Sequence, residues 1–245
     1  MSILSLKGKT VIITGASAGF GRGTAYAFAK EGANLVLTAR REERLKEAAD
    51  KCKELGGNAV YYVGDARDEE TAINTVKLAV DTFGGVDILV NNAGIGRILS
   101  ILDTSMDEYD LVMDSNVRSA YAFSKYAIPE MLKKHNGHII IVSSVTGTIG
   151  QKNETAYTCS KFAVRGLGQA LVDEYLDQGI KTTVFCPHAG VTEFEIGHGR
   201  DAATWGDTGF LSPEDVGQAL VSVCQQTDNC YVAELRLASN NVKFL

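Results

Sequence analysis

Seven short runs of β-branched and apolar residues punctuate the chain: Thr10–Thr14, Asn34–Thr38, Ala59–Val63, Val86–Val90, His138–Val142, Thr182–Phe185 and Cys230–Leu235. Successive residues in them are apolar, so both faces of each strand must be covered. That is the pattern of strands in a parallel sheet. Between most of the runs lie stretches whose apolar positions recur with helical period, namely Glu42–Leu55, Glu69–Phe83, Met106–Lys134 and Ser160–Asp177. Strand–helix alternation of this kind predicts an α/β fold with a doubly wound, seven-stranded parallel sheet and helices on both faces. Gly32, Gly84–Gly85, Gly137 and Gly179 each stand just before a strand, where helix C-caps are expected.

With 245 residues and only three prolines, the chain is long enough for one large domain, and no Gly/Ser-rich stretch interrupts it. Residues 1–245 are therefore expected to form a single domain. The net charge of −6 and the absence of a basic stripe argue against nucleic acid as a partner. Lys7 and Lys9 follow only a short apolar stretch, Ile3 to Leu6, too short for a secretory signal. No window reaches the roughly 20 apolar residues of a membrane span. Five scattered cysteines without a C-x-x-C pair predict reduced thiols and a cytoplasmic setting. The four histidines have no ligand spacing, so no metal is expected.

The first run flows into TGASAGFGRG, with glycines at 15, 19, 21 and 23 and an alanine-rich helical stretch behind them. Glycines let a backbone approach a pyrophosphate, and a helix N-terminus offers free N–H groups and a positive dipole end. In the first strand–helix turn of an alternating chain, this predicts a Rossmann-type dinucleotide site. The loop residues expected to line it are Gly15, Ser17, Gly19, Phe20 and Gly21. On that reading about 1–150 is the cofactor half, and about 151–245 carries the catalytic and substrate-covering part.

A carboxylate at the end of the second strand would hold a ribose 2′-hydroxyl and repel a 2′-phosphate. Here the strand ends in LTARRE, with Ala39 followed by Arg40 and Arg41. Guanidinium groups bind a 2′-phosphate through charge-assisted bonds, so NADP(H) is the expected cofactor rather than NAD. Asp65 and Ala66, after the third strand, belong either beside the adenine or, for Asp65, at a helix N-cap. Asn92, Ala93 and Gly94 follow the fourth strand, at the crevice where α/β folds bind ligands.

The spacing G-x-x-x-G-x-G after Thr14, the stretch NNAG at 91–94, Ser144 thirteen residues before Tyr157, and Lys161 four after it together resemble the short-chain dehydrogenase/reductase family. The resemblance runs from Lys9 to about Leu235. It implies a catalytic set of Asn116, Ser144, Tyr157 and Lys161. It also implies cofactor contacts from Tyr157, Lys161, Pro187 and Thr192, and a water held by Asn116. The chemistry is consistent on its own terms. A phenol with an ordinary pKa near 10 is a poor base at neutral pH, and an ammonium one helical turn away stabilises its phenolate. A serine hydroxyl can donate to a substrate oxygen as charge develops there. Taken singly, Ser144 also suits a strand-end cap and Asn116 a helix break.

His188 stands where the family has glycine, a departure that questions the local backbone, since glycine often serves positive φ. The stretch Glu193–Phe210 is expected to cover the substrate. Its polar side chains favour a small, polar carbonyl or alcohol, with His188, Glu193 and Phe194 as candidate contacts. GFG at 19–21, TEF at 192–194 and SPEDV at 212–216 resemble the branch acting on serine and 3-hydroxy acids. A 3-oxoacyl-carrier-protein reductase is the first alternative, opposed by the acidic Asp173 where those proteins carry arginine; a steroid-type dehydrogenase is another. A nucleotide-binding regulator without turnover is an alternative of a different class. The family is commonly tetrameric, so a homotetramer or homodimer is implied. Ala120, Tyr121, Ala122, Phe123 and Tyr126 suit either a subunit surface or the core.

Overall fold

In the computed structural model, which describes residues 3–199 and 210–240, all seven strands form one parallel sheet. They are β1 (Thr10–Thr14), β2 (Asn34–Ala39), β3 (Asn58–Val63), β4 (Ile88–Asn91), β5 (Gly137–Val142), β6 (Ile180–Pro187) and β7 (Glu234–Leu237). Their spatial order is β3-β2-β1-β4-β5-β6-β7. The chain therefore builds outward from β1 to β3, then returns to lay β4 on the other side of β1. That reversal leaves a crevice at the carboxyl ends of β1 and β4.

The doubly apolar strands split cleanly between two cores. Val11 and Ile13 of β1, Leu35 and Leu37 of β2, and Ile140 of β5 pack on one face, with Phe28 and Leu45 from helices α1 (Gly19–Lys30) and α2 (Glu42–Glu54). Leu220, from the helix at Pro213–Cys224 (α7), joins them there. Ile12, Val36, Leu89 and Ile139 point to the other face. They meet Val76 of α3 (Glu69–Phe83), Phe123 of α5 (Ser119–Leu132) and Val164 of α6 (Thr155–Tyr175). Each fully buried aromatic such as Phe28 or Phe123 contributes about 1.5–3 kcal/mol by leaving water.

Four sequence expectations shift. The helical stretch 106–134 is three segments: α4 (Met106–Met113), a π-helical turn at Asp114–Arg118, and α5. The helix expected from Ser160 begins at Thr155, which places Tyr157 in its first turn. The last strand starts at Glu234, not Cys230. The Cys230 N–H closes a turn on Thr227 O instead, and Glu234 is the first residue in register with β6. Gly137 is the first residue of β5 rather than a cap, and the turn before it is made by His135 at φ 46°. Gly32, Gly84 and Gly179 do take positive φ just past helical segments. Ala120, Ala122 and Phe123 belong to the core, whereas Tyr121 is exposed.

SPEDV has a local reason to exist. Ser212 and Asp215 form a reciprocal capping box with Pro213 at the first helical position of α7. Among the described residues no helix is long and apolar enough to cross a membrane. All five cysteines are unpaired thiols, three of them buried.

Candidate active site

The crevice at the ends of β1 and β4 is a cleft of about 1020 Å³. Its floor is tied together by Thr14. That hydroxyl accepts from the N–H groups of Asn92 (3.0 Å) and Ala93 (2.8 Å) and donates to Val90 O, while Asn92 Nδ2 donates to Thr14 O at 2.9 Å. The β1–α1 loop lies flat against this knot. A Cβ on Gly21 would sit 2.5 Å from both Asn92 Nδ2 and Gly15 O, so only glycine closes the cradle. Gly15 itself takes φ +69°. Helix α1 begins at Gly19, and Ala18 at its N-cap offers no side-chain acceptor to the free N–H groups behind it. A flat loop ending in an uncapped helix N-terminus fits a pyrophosphate.

One edge of the cleft is cationic. Arg41, the N-cap residue of α2, directs Nε and Nη2 at Ser17 Oγ (3.4 and 3.2 Å). Arg44, one helical turn on, faces the same spot. Arg41 and Arg44 both hold the Glu193 carboxylate, Arg44 Nη1 reaching its two oxygens at 2.8 and 2.7 Å. These two guanidiniums keep Glu193 below the usual carboxylate range. Arg40 turns aside to Asp65 at 3.9 Å. The Asp65 carboxylate accepts from Arg67 Nε, Nη2 and backbone N–H (3.1, 2.8 and 3.0 Å), and the hydrogen bonds from Arg67 depress its pKa. The N-cap position of α3 falls on Asp68, whose side chain makes no capping bond, so the N-cap place considered for Asp65 does not apply. Ala66 lines the cleft beside it.

The opposite end gathers Asn116, Ser144, Tyr157 and Lys161, contributed by three different segments. Asn116 lies in the π-helical turn, and such turns aim one side chain out of helical register. Its amide makes a two-way bond to Ile95, Oδ1 accepting from the N–H at 2.7 Å and Nδ2 donating to the carbonyl at 2.9 Å. Nδ2 also donates to Ser160 Oγ at 2.8 Å. Both amide hydrogens are thus engaged, so a water held by this side chain would have to donate to Oδ1. Gly94 lets these groups converge: a Cβ there would lie 2.8 Å from Asn116 Oδ1 and 3.7 Å from Lys161 Nζ.

Ser144 ends the β5 connection and caps the short turn Val145–Gly147 through its hydroxyl, which accepts from Thr146 N–H at 3.2 Å. Its neighbour Ser143 points the other way and donates to Lys161 O, fastening α6 to the sheet. Lys161 is buried, donates from Nζ to Val142 O at 2.9 Å, and lies 5.5 Å from the Tyr157 ring centre. Burial pushes its pKa down to about 8, against the opposing pull of Cys186 and Glu195. Tyr157 is buried as well.

The chain after β6 folds over this end. Pro187 closes β6, and the Phe20 ring packs on Gly190. Gly190 bridges to Leu211, which brings the two ends of the covering segment together. Thr192 lies against Gly19 at the start of α1, its hydroxyl accepting from Phe194 N–H. The Phe194 ring sits 5.7 Å from that of Tyr157. His188 is not among the positive-φ residues, so no glycine is required there. Its Nδ1 accepts from Ala189 N–H at 2.8 Å, which leaves the hydrogen of the neutral ring on Nε2. Burial lowers its pKa and favours that neutral form. Gly199 and His198 fasten the segment to Ile98, the latter by Ile98 N–H donating to His198 O. Arg200, Asp201 and Trp205 lie outside the described residues.

The candidate substrate set divides. His188 and Phe194 stay at the Tyr157 end, whereas Glu193 reaches the arginine edge and does not join them. Arg44, Ser160 and Ser143 were not foreseen. Arg44 carried a usable signal, since it stands three residues after Arg41 on a helix. Glu195, which lines the cleft at φ +65°, falls within the stretch expected to cover the substrate.

A model of the short chain dehydrogenase family matches residues 9–202. An uncharacterised oxidoreductase of Thermotoga maritima is 41% identical over 193 residues, covering 78% of this chain and 75% of its own. An alcohol dehydrogenase from the archaeon Thermococcus sibiricus, solved with 5-hydroxy-NADP, superposes with a TM-score of 0.88 at 26% identity over 97% of this chain and 99% of its own. A metagenomic short-chain oxidoreductase solved in complex with NADP gives 0.82 at 26% identity over 96% and 98%. The chain belongs to the short-chain dehydrogenase family of oxidoreductases.

Proposed function

We propose that the protein is an NADP(H)-dependent dehydrogenase/reductase. It would move a hydride between the nicotinamide and the carbonyl or secondary alcohol of a small, polar substrate, with Tyr157 as the acid/base. The observation that carries this reading is Lys161: a buried ammonium 5.5 Å from the centre of the Tyr157 ring, opening on the same cleft as the glycine cradle. The glycine loop, Ser17 and Arg41, with Asn92 to Gly94 across the cleft, are the residues that would hold the dinucleotide. Arg40 and Asp65 would lie to the adenine side, and Pro187 and Thr192 to the nicotinamide side. When bound, the cofactor supplies or accepts the hydride.

The residues of this chain handle the proton. In reduction the Tyr157 hydroxyl gives its proton to the substrate oxygen; in oxidation its phenolate takes it back. Lys161 stabilises the phenolate by its charge, more strongly in a dry site than in water. Ser144 donates to the substrate oxygen as negative charge builds on it. Asn116 fixes the 95–96 backbone beside the reacting groups and keeps the wall of the cleft in place. The neutral His188 offers an Nε2–H donor, and Phe194 closes over Tyr157 to exclude water. The NADP-bound structural relatives support the choice of nicotinamide cofactor. The free thiols suit a cytoplasmic enzyme, and the family habit suits a homotetramer.

The test is fluorescence titration with NADPH and NADH, followed by turnover of 3-oxo acids, aldehydes, diketones, a steroid and an acyl thioester. NADPH binding at least about tenfold tighter, with reduction of a small polar carbonyl, is the expected result. Preference for NADH, or binding without turnover of any carbonyl, would reject it.

A further inference from the structure

Glu193 is the side chain that departs furthest from its sequence reading. Adjacent in the chain to Phe194, which covers Tyr157, it reaches the arginine edge of the cleft. Arg41 Nη1 meets its Oε2 at 3.1 Å, and Arg44 Nη1 meets Oε1 and Oε2 at 2.8 and 2.7 Å. Nε and Nη2 of Arg41 each donate to Ser17 Oγ. One carboxylate and one hydroxyl therefore use the donors that a phosphate monoester would use, in the geometry that guanidinium groups offer to either anion.

We propose that Glu193 is a specificity-determining residue. It occupies the 2′-phosphate site as an internal anion, must be displaced when a 2′-phosphorylated nucleotide binds, and is left in place by NADH. The inference rests on the reading of Ser17 and Arg41 as the 2′-phosphate site. A phosphate carries nearly twice the charge of a carboxylate and three acceptor oxygens, so it prevails over Glu193 at a pair of guanidiniums. The three side chains are about half exposed, which keeps the competition small. Because Glu193 adjoins Phe194 over Tyr157, its release also links occupancy of the phosphate site to the segment that covers the reacting end.

The experiment compares the wild-type protein, Glu193→Gln and Arg41→Ala. NADPH and NADH are titrated by fluorescence, and adenosine 2′,5′-bisphosphate, which lacks the nicotinamide, by calorimetry. Glu193→Gln should tighten NADPH and the bisphosphate by about threefold to tenfold and leave NADH unchanged. In the wild type, the bisphosphate should raise amide hydrogen exchange across residues 191–199. Unchanged or weakened NADPH affinity in Glu193→Gln, or an equal change for NADH, overturns the proposal. Arg41→Ala separates the two readings. If it leaves NADPH binding at the wild-type level, the phosphate-site assignment itself fails. If it weakens NADPH while Glu193→Gln tightens nothing, only the role of Glu193 fails.

Discussion

Replacing Lys161 by methionine tests whether an ammonium is truly held in a dry site. The group titrates at about 8 in the fold against an ordinary value of 10.5, with burial as the first cause. A depressed lysine pKa means that the fold disfavours the charged form. Between pH 8 and 10.5 the unfolded chain binds more protons than the folded one, so stability rises with pH through that window. The cost of the charge is fully present below pH 8. At about 1.4 kcal/mol per pH unit it amounts to roughly 3 kcal/mol at pH 7 and falls below about 1 kcal/mol at pH 10. Methionine fills a similar volume without charge. It also strands the Val142 carbonyl that Lys161 now serves at 2.9 Å, at about 1–3 kcal/mol. That loss does not vary with pH, so it cancels when the same two proteins are compared across pH. The stability of Lys161→Met relative to wild type should therefore drop by roughly 2–3 kcal/mol from pH 7 to pH 10. Urea unfolding at pH 7, 8.5 and 10 reads this as a relative midpoint change of about 1 M. A difference that stays constant over that range would mean that the ammonium is solvated in the fold, and the argument from burial would fail.

Three further outcomes follow from the same geometry. Tyr157→Phe should lower kcat by about 10²–10⁴ while the NADPH fluorescence titration stays at its wild-type midpoint. Asn116→Ala leaves both the N–H and the carbonyl of Ile95 without their partner, so urea unfolding should report a loss of about 2–4 kcal/mol, with turnover reduced alongside it. Gly21→Ala forces a methyl to within 2.5 Å of Asn92 Nδ2 and Gly15 O; it should cost about 1–3 kcal/mol in unfolding and at least about tenfold in nucleotide affinity by calorimetry.

Much of this molecule is visible in local pattern. A strand buried on both faces must be apolar throughout, and one such as Val11-Ile12-Ile13 serves two cores at once, so seven strands could be counted without any contact being known. A helix places residues four apart on one face whatever surrounds it, which is why Tyr157 and Lys161 could be paired from spacing. The glycine loop was legible because close backbone approach excludes every other residue at Gly21. The short helical ends were less so. The start of α6 at Thr155 and the π turn around Asn116 lie beside contacts from far off in the sequence, the bridge of Glu154 to Leu99 and the bonds of Asn116 to Ile95, that no local period encodes.

Composition and spacing by themselves determined the doubly wound sheet and marked the glycine loop, because each rests on a periodicity or a steric exclusion within a few residues of chain, whereas the set of Asn116, Ser144, Tyr157 and Lys161 was read from the resemblance to a family. Only the tertiary structure decided where long polar side chains go. Glu193 lies 152 residues from Arg41 in sequence, yet it finds Arg41 and Arg44 rather than the substrate end. Arg40 and Arg41 part company although they are adjacent, Arg40 to Asp65 and Arg41 to Glu193. The physical reason is reach. A charged side chain samples several ångströms and pairs with whichever opposite charge the fold delivers, and that delivery is set by how β1, β2 and β6 stand in the sheet, not by anything in the neighbouring sequence.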